Sequence, residues 1–110
     1  MHREIDPIGA DEAVRAGSFL LDVREPEEYA AGHAPGAASV PLGELAGRIA
    51  EVPADVEVIC VCRSGGRSAT AADALVSAGY DAVNLVGGMH AWSREGLEVT
   101  DARGGSGTVI

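Results

Sequence analysis

The sequence predicts an α/β fold: a central, mainly parallel, five-stranded sheet with helices on both faces. Three observations carry that prediction. Short apolar runs of strand length alternate along the chain with amphipathic stretches of helical spacing. One run, Val58 to Val61, is apolar without a break, which suits a strand covered on both faces. Glycine or proline closes most segments, and each strand is followed by a helical stretch, as crossovers between parallel strands require.

The elements follow in order. Glu4 to Asp6 is placed as the first strand, and Asp11 to Ala16 as a short helix ended by Gly17. Ser18 to Val23 (SFLLDV) reads as a buried strand. Pro26 to Ala31 reads as a helix, because proline suits the first turn and Glu27 and Glu28 suit the positive end of the helix dipole; Gly32 stops it. Ala38 to Val40 is a short strand ended by Pro41. Leu42 to Val52 carries Leu42, Leu45, Ala46 and Ile49 at helical spacing. Glu57 to Val61 is the next strand, then Arg67 to Ala78 a helix with Ala71, Ala72, Leu75 and Val76 on one face and Gly79 behind it. Ala82 to Val86 is the last strand, and Met89 to Glu95 the last helix, ended by Gly96. One domain over residues 1–102 is expected, with a flexible tail from Arg103 to Ile110 containing GGSG.

Charge narrows the partners. Acidic residues outnumber basic ones by 17 to 8, a net charge of −9, so a nucleic-acid or anionic-membrane surface is not expected. All eight basic residues are arginine, which excludes a lysine base or Schiff-base chemistry. The leading MHREIDPIG has no apolar core of a signal segment, and no segment approaches membrane-spanning length, so a cytoplasmic location is expected. Cys60 and Cys62 lie two apart at a strand end, where extended geometry opposes a disulfide. Neither a metal site nor an organic cofactor is implied.

In sheets of this kind ligands bind beyond the carboxyl ends of the strands, which brings Asp22 to Arg24, Cys62 to Arg67 and Gly87-Gly88 to one edge. The segment CRSGGRS, Cys62 to Ser68, holds the chemistry. Gly65 and Gly66 leave backbone amides bare, and a loop curling into a helix start aims several of them at one point. Arg63 and Arg67 add fixed charge. A cysteine at the base of such a nest is biased towards thiolate by the dipole and the guanidinium groups. A nucleophile beside an anion cradle means covalent transfer of a group carried on an anion, either phosphoryl or sulfur. Phosphatases and arsenate reductases with a C-x5-R loop place arginine six residues after cysteine; here that place holds Ser68, and Arg67 comes at five.

Three stretches, LDVREPEEYAAGHAPGA (Leu21 to Ala37), CRSGGRSATAADALVSAGY (Cys62 to Tyr80) and NLVGGMHAW (Asn84 to Trp92), resemble a single-domain rhodanese. The resemblance implies the rhodanese fold and a sulfurtransferase. Cys62 would take a sulfane sulfur from thiosulfate or a persulfide donor and pass it, as a Cys62 persulfide, to cyanide, a thiol or an acceptor protein. Arg63, Ser64, Gly65, Gly66 and Arg67 would line the substrate, with Asp22, Arg24 and Ser68 structural beside it. A related cell-cycle phosphatase family has a loop one residue longer. A persulfide carrier serving one partner, or a phosphatase or arsenate reductase on the same fold, are the alternatives.

Other residues have plainer readings. Cys60 reads as a small buried hydrophobe, with a resolving thiol as the alternative. His33 reads as structural, and His90 as a solvent-facing residue near the site mouth. Trp92 belongs in the core, Arg24 in an ion pair with Glu28 or Glu27, and Arg67 in either a substrate contact or a salt bridge that fixes the loop.

Overall fold

The uninterrupted run Val58–Val61 forms the middle strand of a five-stranded, all-parallel sheet in the computed structural model, which describes residues 1–110. The strands are β1 (Arg3–Ile5), β2 (Phe19–Asp22), β3 (Ala38–Ser39), β4 (Val58–Val61) and β5 (Ala82–Leu85), in the order β1-β5-β4-β2-β3. The helices are α1 (Pro7–Arg15), α2 (Pro26–Ala31), α3 (Gly66–Ser77) and α4 (Gly88–Arg94).

Side chains alternate across a strand, so a doubly covered sheet has two cores. On one face Val58, Cys60 and Cys62 of the β4 segment join Leu21, Val23 and Ala82 beneath Ala71, Ala72 and Leu75 of α3. On the other, Ile59 and Val61 join Leu20, Val83 and Leu85 beneath Ala10 of α1 and Met89 and Trp92 of α4. All four residues of β4 are buried, and those of β5 likewise, including Asn84.

Three segments differ from the sequence reading. β1 begins one residue earlier than expected and excludes Asp6, which caps α1: its carboxylate accepts from Gly9 N at 2.7 Å, and Pro7 fills the first helical position. The helix therefore starts at Pro7, ahead of the expected Asp11, on an ordinary Asp-Pro start signal. Leu42 to Val52 is not an α-helix but two 3₁₀ segments, Leu42–Glu44 and Ala46–Glu51, with Arg48 off helical geometry. Gly43 and Gly47 weaken α-helix here by about 1 kcal/mol each relative to alanine, while Leu42, Leu45 and Ile49 still reach the first core. The stretch from Arg103 onward, expected as a flexible tail, lies against the domain. Gly107 N bonds Val99 O at 2.8 Å, Thr108 N bonds Ala31 O at 2.9 Å, and Val109 packs on the second core. Gly32 and Gly107 approach so closely that a Cβ on either would meet backbone. The other boundaries fall within a residue or so of expectation.

No helix is long and apolar enough to cross a membrane.

Candidate active site

Cys62 follows the last residue of β4, where the strand turns into α3, and it is 1% exposed. Its neighbours at the same sheet edge are the end of β2, tied by Val23 N to Val61 O at 3.0 Å, and the start of α4, tied by Met89 N to Cys62 O at 2.8 Å. His90 N also donates to Arg63 O at 3.0 Å. The three strand ends singled out from the sequence therefore meet.

The loop from Ser64 to Arg67 wraps the sulfur. Gly65 sits at φ +115°, a left-handed conformation that suits glycine, and this turn aims its amide at Cys62 Sγ, 3.1 Å away. Ser68, fully buried in the first turn of α3, brings its Oγ within 3.3 Å of Sγ. Burial pushes the Cys62 thiol up, but the Ser68 hydroxyl and the amides of Ser68, Gly65 and Ser64 outweigh it and hold the thiol below its ordinary value. These donors are the amides and the hydroxyl at the helix start, and Arg67 adds its charge from beyond hydrogen-bond reach.

The two loop arginines differ. Arg67 gives Nη1 and Nη2 to the two carboxylate oxygens of Glu28, at 2.7 and 2.9 Å, which pins the loop to α2. Arg63 is exposed, and its Nε donates to Ile110 O at 2.9 Å. Of the two roles weighed for Arg67, the geometry is that of the salt bridge. Its hydrogen bonds, together with one from Glu25 N, hold the Glu28 carboxyl down at about 2. A depressed carboxyl contributes stability above its unfolded value of 4.5 and loses it as pH falls through its folded one. Glu28→Gln should therefore shrink the fall in unfolding midpoint between pH 4.5 and pH 2, measured by thermal melts against the unsubstituted protein.

Asp22 and Arg24 are both fully buried and pair with each other, so the expected partner Glu28 or Glu27 is replaced. Two residues apart at a strand end, they close a local ring: Arg24 N, Nε and Nη2 reach Asp22 at 3.1, 2.9 and 2.7 Å, and Nη2 also donates to Gly32 O at 2.8 Å. Arg24 Nη1 has no partner. Cys60 lies in the first core with its thiol pushed up to about 12, first by burial and then by the charge of Cys62. Burial thus opposes the thiolate that a resolving role would need. His33 stacks on Tyr29, ring centroids 3.8 Å apart, and its Nδ1 contacts Tyr29 O at 2.7 Å. Trp92 is buried, and its indole N–H donates to Glu98 O at 2.8 Å.

One residue beneath the loop was missed, and the role of another was not foreseen. Asn84, buried in β5 on the α3 side, accepts from Ser68 Oγ at 2.6 Å and donates Nδ2 to Gly65 O at 3.3 Å. The signal was present: an amide in the middle of an apolar strand must have a partner. Gly88, at φ +57°, lets the first turn of α4 lie on the loop backbone; a Cβ there would collide with the carbonyls of Cys62 and Arg63. Gly88→Ala is expected to cut the reactivity of Cys62 at least tenfold by displacing the loop, as read by alkylation rate at pH 7, and to lower stability by about 1–3 kcal/mol.

None of the molecule's four cavities is lined by Cys62; an all-apolar one of about 310 Å³, bounded by Leu42, Leu45, Ala46, Ile49, Ala74 and Leu75, lies away from the loop.

Comparison with known proteins places this geometry. The profile of the rhodanese-like domain matches residues 6–95. A sulfurtransferase of Allochromatium vinosum is 42% identical over 87 residues, which cover 78% of this chain and 81% of that protein. The putative sulfurtransferase YtwF of Bacillus subtilis is 36% identical over 95 residues, 84% of this chain and 92% of that one. A rhodanese-related protein from Thermoplasma volcanium superposes with a TM-score of 0.85 at 31% identity, covering 90% of this chain and 98% of that chain. The chain spans only 37% of an HTH-type transcriptional regulator of Mycobacterium tuberculosis that it matches at 42% identity over 85 residues, 74% of its own length.

Proposed function

Because the chain belongs to the rhodanese-like domain family, with relatives named as sulfurtransferases, we propose that Cys62 carries a sulfane sulfur from an anionic donor to a thiophilic acceptor. The observation that carries this reading is the tight ring of donors on Sγ, with Gly65 N at 3.1 Å and Ser68 Oγ at 3.3 Å, around a nucleophile held below the ordinary thiol range. With thiosulfate as donor, the Cys62 thiolate attacks the outer sulfur, a new S–S bond forms, and the old one breaks with its electron pair leaving on sulfite. Cyanide or a thiolate then attacks the outer sulfur of the persulfide, and the pair of the Sγ–S bond returns to Cys62. Both leaving groups are stable anions, so no general acid is needed. Amides freed by Gly65 and Gly66 suit the anionic outer sulfur. Of the eight arginines, Arg3, Arg15, Arg24, Arg48 and Arg67 are held by side-chain carboxylates; Arg63, next to Cys62, gives its Nε to Ile110 O, and its two Nη groups suit a dianionic donor.

The phosphoryl alternative in its C-x5-R form calls on an arginine six places after the cysteine to hold the transferring group, and Ser68 stands there. Arg67, at the fifth place after Cys62, spends its fork on Glu28. The carrier alternative has one observation in its favour: Cys62 is 1% exposed and opens into no cavity, which suits a dedicated partner better than free solutes. A curated relative named as a putative sulfur carrier, YrkF of Bacillus subtilis, is 43% identical over 75 residues, 67% of this chain and 40% of that protein.

Mass spectrometry of the intact protein with and without thiosulfate tests the reading. A gain of one sulfur on the Cys62 peptide is expected, and an unmodified peptide after exposure to both thiosulfate and a persulfide donor would overturn it. Turnover with cyanide then separates enzyme from carrier, since a carrier holds the persulfide but releases almost no thiocyanate. Hydrolysis of an aryl phosphate without sulfur uptake would select the phosphoryl alternative.

A further inference from the structure

Ser68 stands between two acceptors. Its Oγ is 2.6 Å from Asn84 Oδ1 and 3.3 Å from Cys62 Sγ, and a hydroxyl has one proton to give. The orientation of the Asn84 amide follows from its partners. Nδ2 faces two oxygens, Gly65 O at 3.3 Å and Glu4 Oε2 at 3.4 Å, so the carbonyl must face Ser68. While Sγ is uncharged, the shorter contact to the amide oxygen takes the proton, and Ser68 turns a lone pair towards sulfur. When Sγ becomes a thiolate, the charge-assisted bond is the stronger one and the hydroxyl turns to it.

We propose that Asn84 is a positioning residue for the Cys62 chemistry: its Oδ1 accepts the Ser68 O–H hydrogen bond while Sγ is neutral, and the O–H swings to Sγ as the thiolate forms. The role rests on the sulfur-transfer reading for its place in the cycle. In the persulfide Sγ is a neutral bridging atom, and the proton lies on the Asn84 side. When the acceptor attacks the outer sulfur, the electron pair of the Sγ–S bond returns to Sγ, and the Ser68 O–H rotates to meet it. No proton leaves Ser68 and nothing is oxidised beyond the sulfur exchange itself. Asn84 thereby competes with the thiolate for one hydrogen bond, and its removal leaves Ser68 free to serve sulfur alone.

The charged and titratable groups around this trio are Arg67 of α3 with its partner Glu28 of α2, Arg63 of the loop, Cys60 of β4, Glu4 of β1 on the Asn84 side, and the self-paired Asp22 at the end of β2 and Arg24 just past it; His90 of α4 lies beyond Arg63. None is altered by the substitutions that test the proposal.

The test is a cycle of Asn84→Ala, Ser68→Ala and the double variant, read by iodoacetamide alkylation of Cys62 across pH, with thermal unfolding as the check on folding. Asn84→Ala should react faster than the unsubstituted protein below neutral pH, by about threefold to tenfold, the factor one ordinary hydrogen bond carries. Ser68→Ala should react more slowly, and the double variant should match Ser68→Ala. A slower Asn84→Ala, or an effect of that substitution persisting without Ser68, would assign Asn84 to the support of the Gly65 carbonyl and overturn the proposal. Should Asn84→Ala not fold, Asn84→Val, better suited to a buried strand, takes its place. A second readout needs no substitution at Asn84: the ¹³C resonance of its side-chain carbonyl should shift with the midpoint of Cys62 ionisation, and should stay still in Ser68→Ala. A resonance fixed across that midpoint in the unsubstituted protein overturns the proposal. Neither readout depends on sulfur transfer, so its failure is distinct from a failure of persulfide formation.

Discussion

Cys62→Ser should abolish sulfur transfer, by roughly a thousandfold or more and down to the background of the assay, with the fold retained. A serine hydroxyl in the same ring is not ionised near neutral pH, so neither Gly65 N nor the α3 start can turn it into a nucleophile of comparable strength. Stability should change by no more than about 1 kcal/mol, because the replacement is smaller by little and its oxygen can accept from the same amide 3.1 Å from the present sulfur. Substantial residual transfer, measured as thiocyanate released from thiosulfate and cyanide, would remove Cys62 from the mechanism. Unfolding in urea at an unchanged midpoint is the control that makes a loss of activity interpretable.

The second large effect concerns stability. Arg24→Ala leaves Asp22 charged and fully buried with none of its guanidinium bonds, which costs about 3–5 kcal/mol. Against the roughly 5–15 kcal/mol that holds a domain together, that loss should lower the urea midpoint severely and leave a measurable unfolded fraction. Gly32 O loses its donor at the same time, so the end of α2 is disturbed too. Replacing both members, Asp22→Leu with Arg24→Met, should cost much less than the sum of the single changes, since no buried charge is then orphaned. Additive losses would mean that the pair contributes through packing alone.

What the sequence disclosed, and what it withheld, follows from the range of the forces involved. Strand and helix placement depends on local pattern, and β4 was readable because four apolar residues in a row leave little else for it to be. The loop was readable because glycine, arginine and cysteine at a strand-to-helix junction have local consequences. The partner of Arg67 was not, because Glu28 is 39 residues away and only packing decides which carboxylate it meets; Asp22 is a near neighbour of Arg24, but only the fold shows both buried and turned on each other rather than Arg24 onto Glu28. The Leu42 to Val52 segment misled for a different reason: apolar spacing there matches an α-helix, yet two glycines and the need to reach the first core favour a tighter, interrupted winding. Asn84 was legible only as an anomaly, an amide where a hydrophobe belongs, with nothing local to say that it sits beneath the sulfur.

The order of the strands also sets when the Cys62 loop acquires its floor. β5 lies between β1 and β4, and Arg3 pairs with Val83, so the first strand has no neighbour until the last has been made. The same late segment supplies Asn84 under Ser68, and Gly88 and Met89 against the backbone of Cys62. A nascent chain complete only to Tyr80 therefore holds CRSGGRS without the β5 and α4 contacts beneath it. Synthesis from the amino end thus makes the Cys62 turn before the elements that hold its backbone in place.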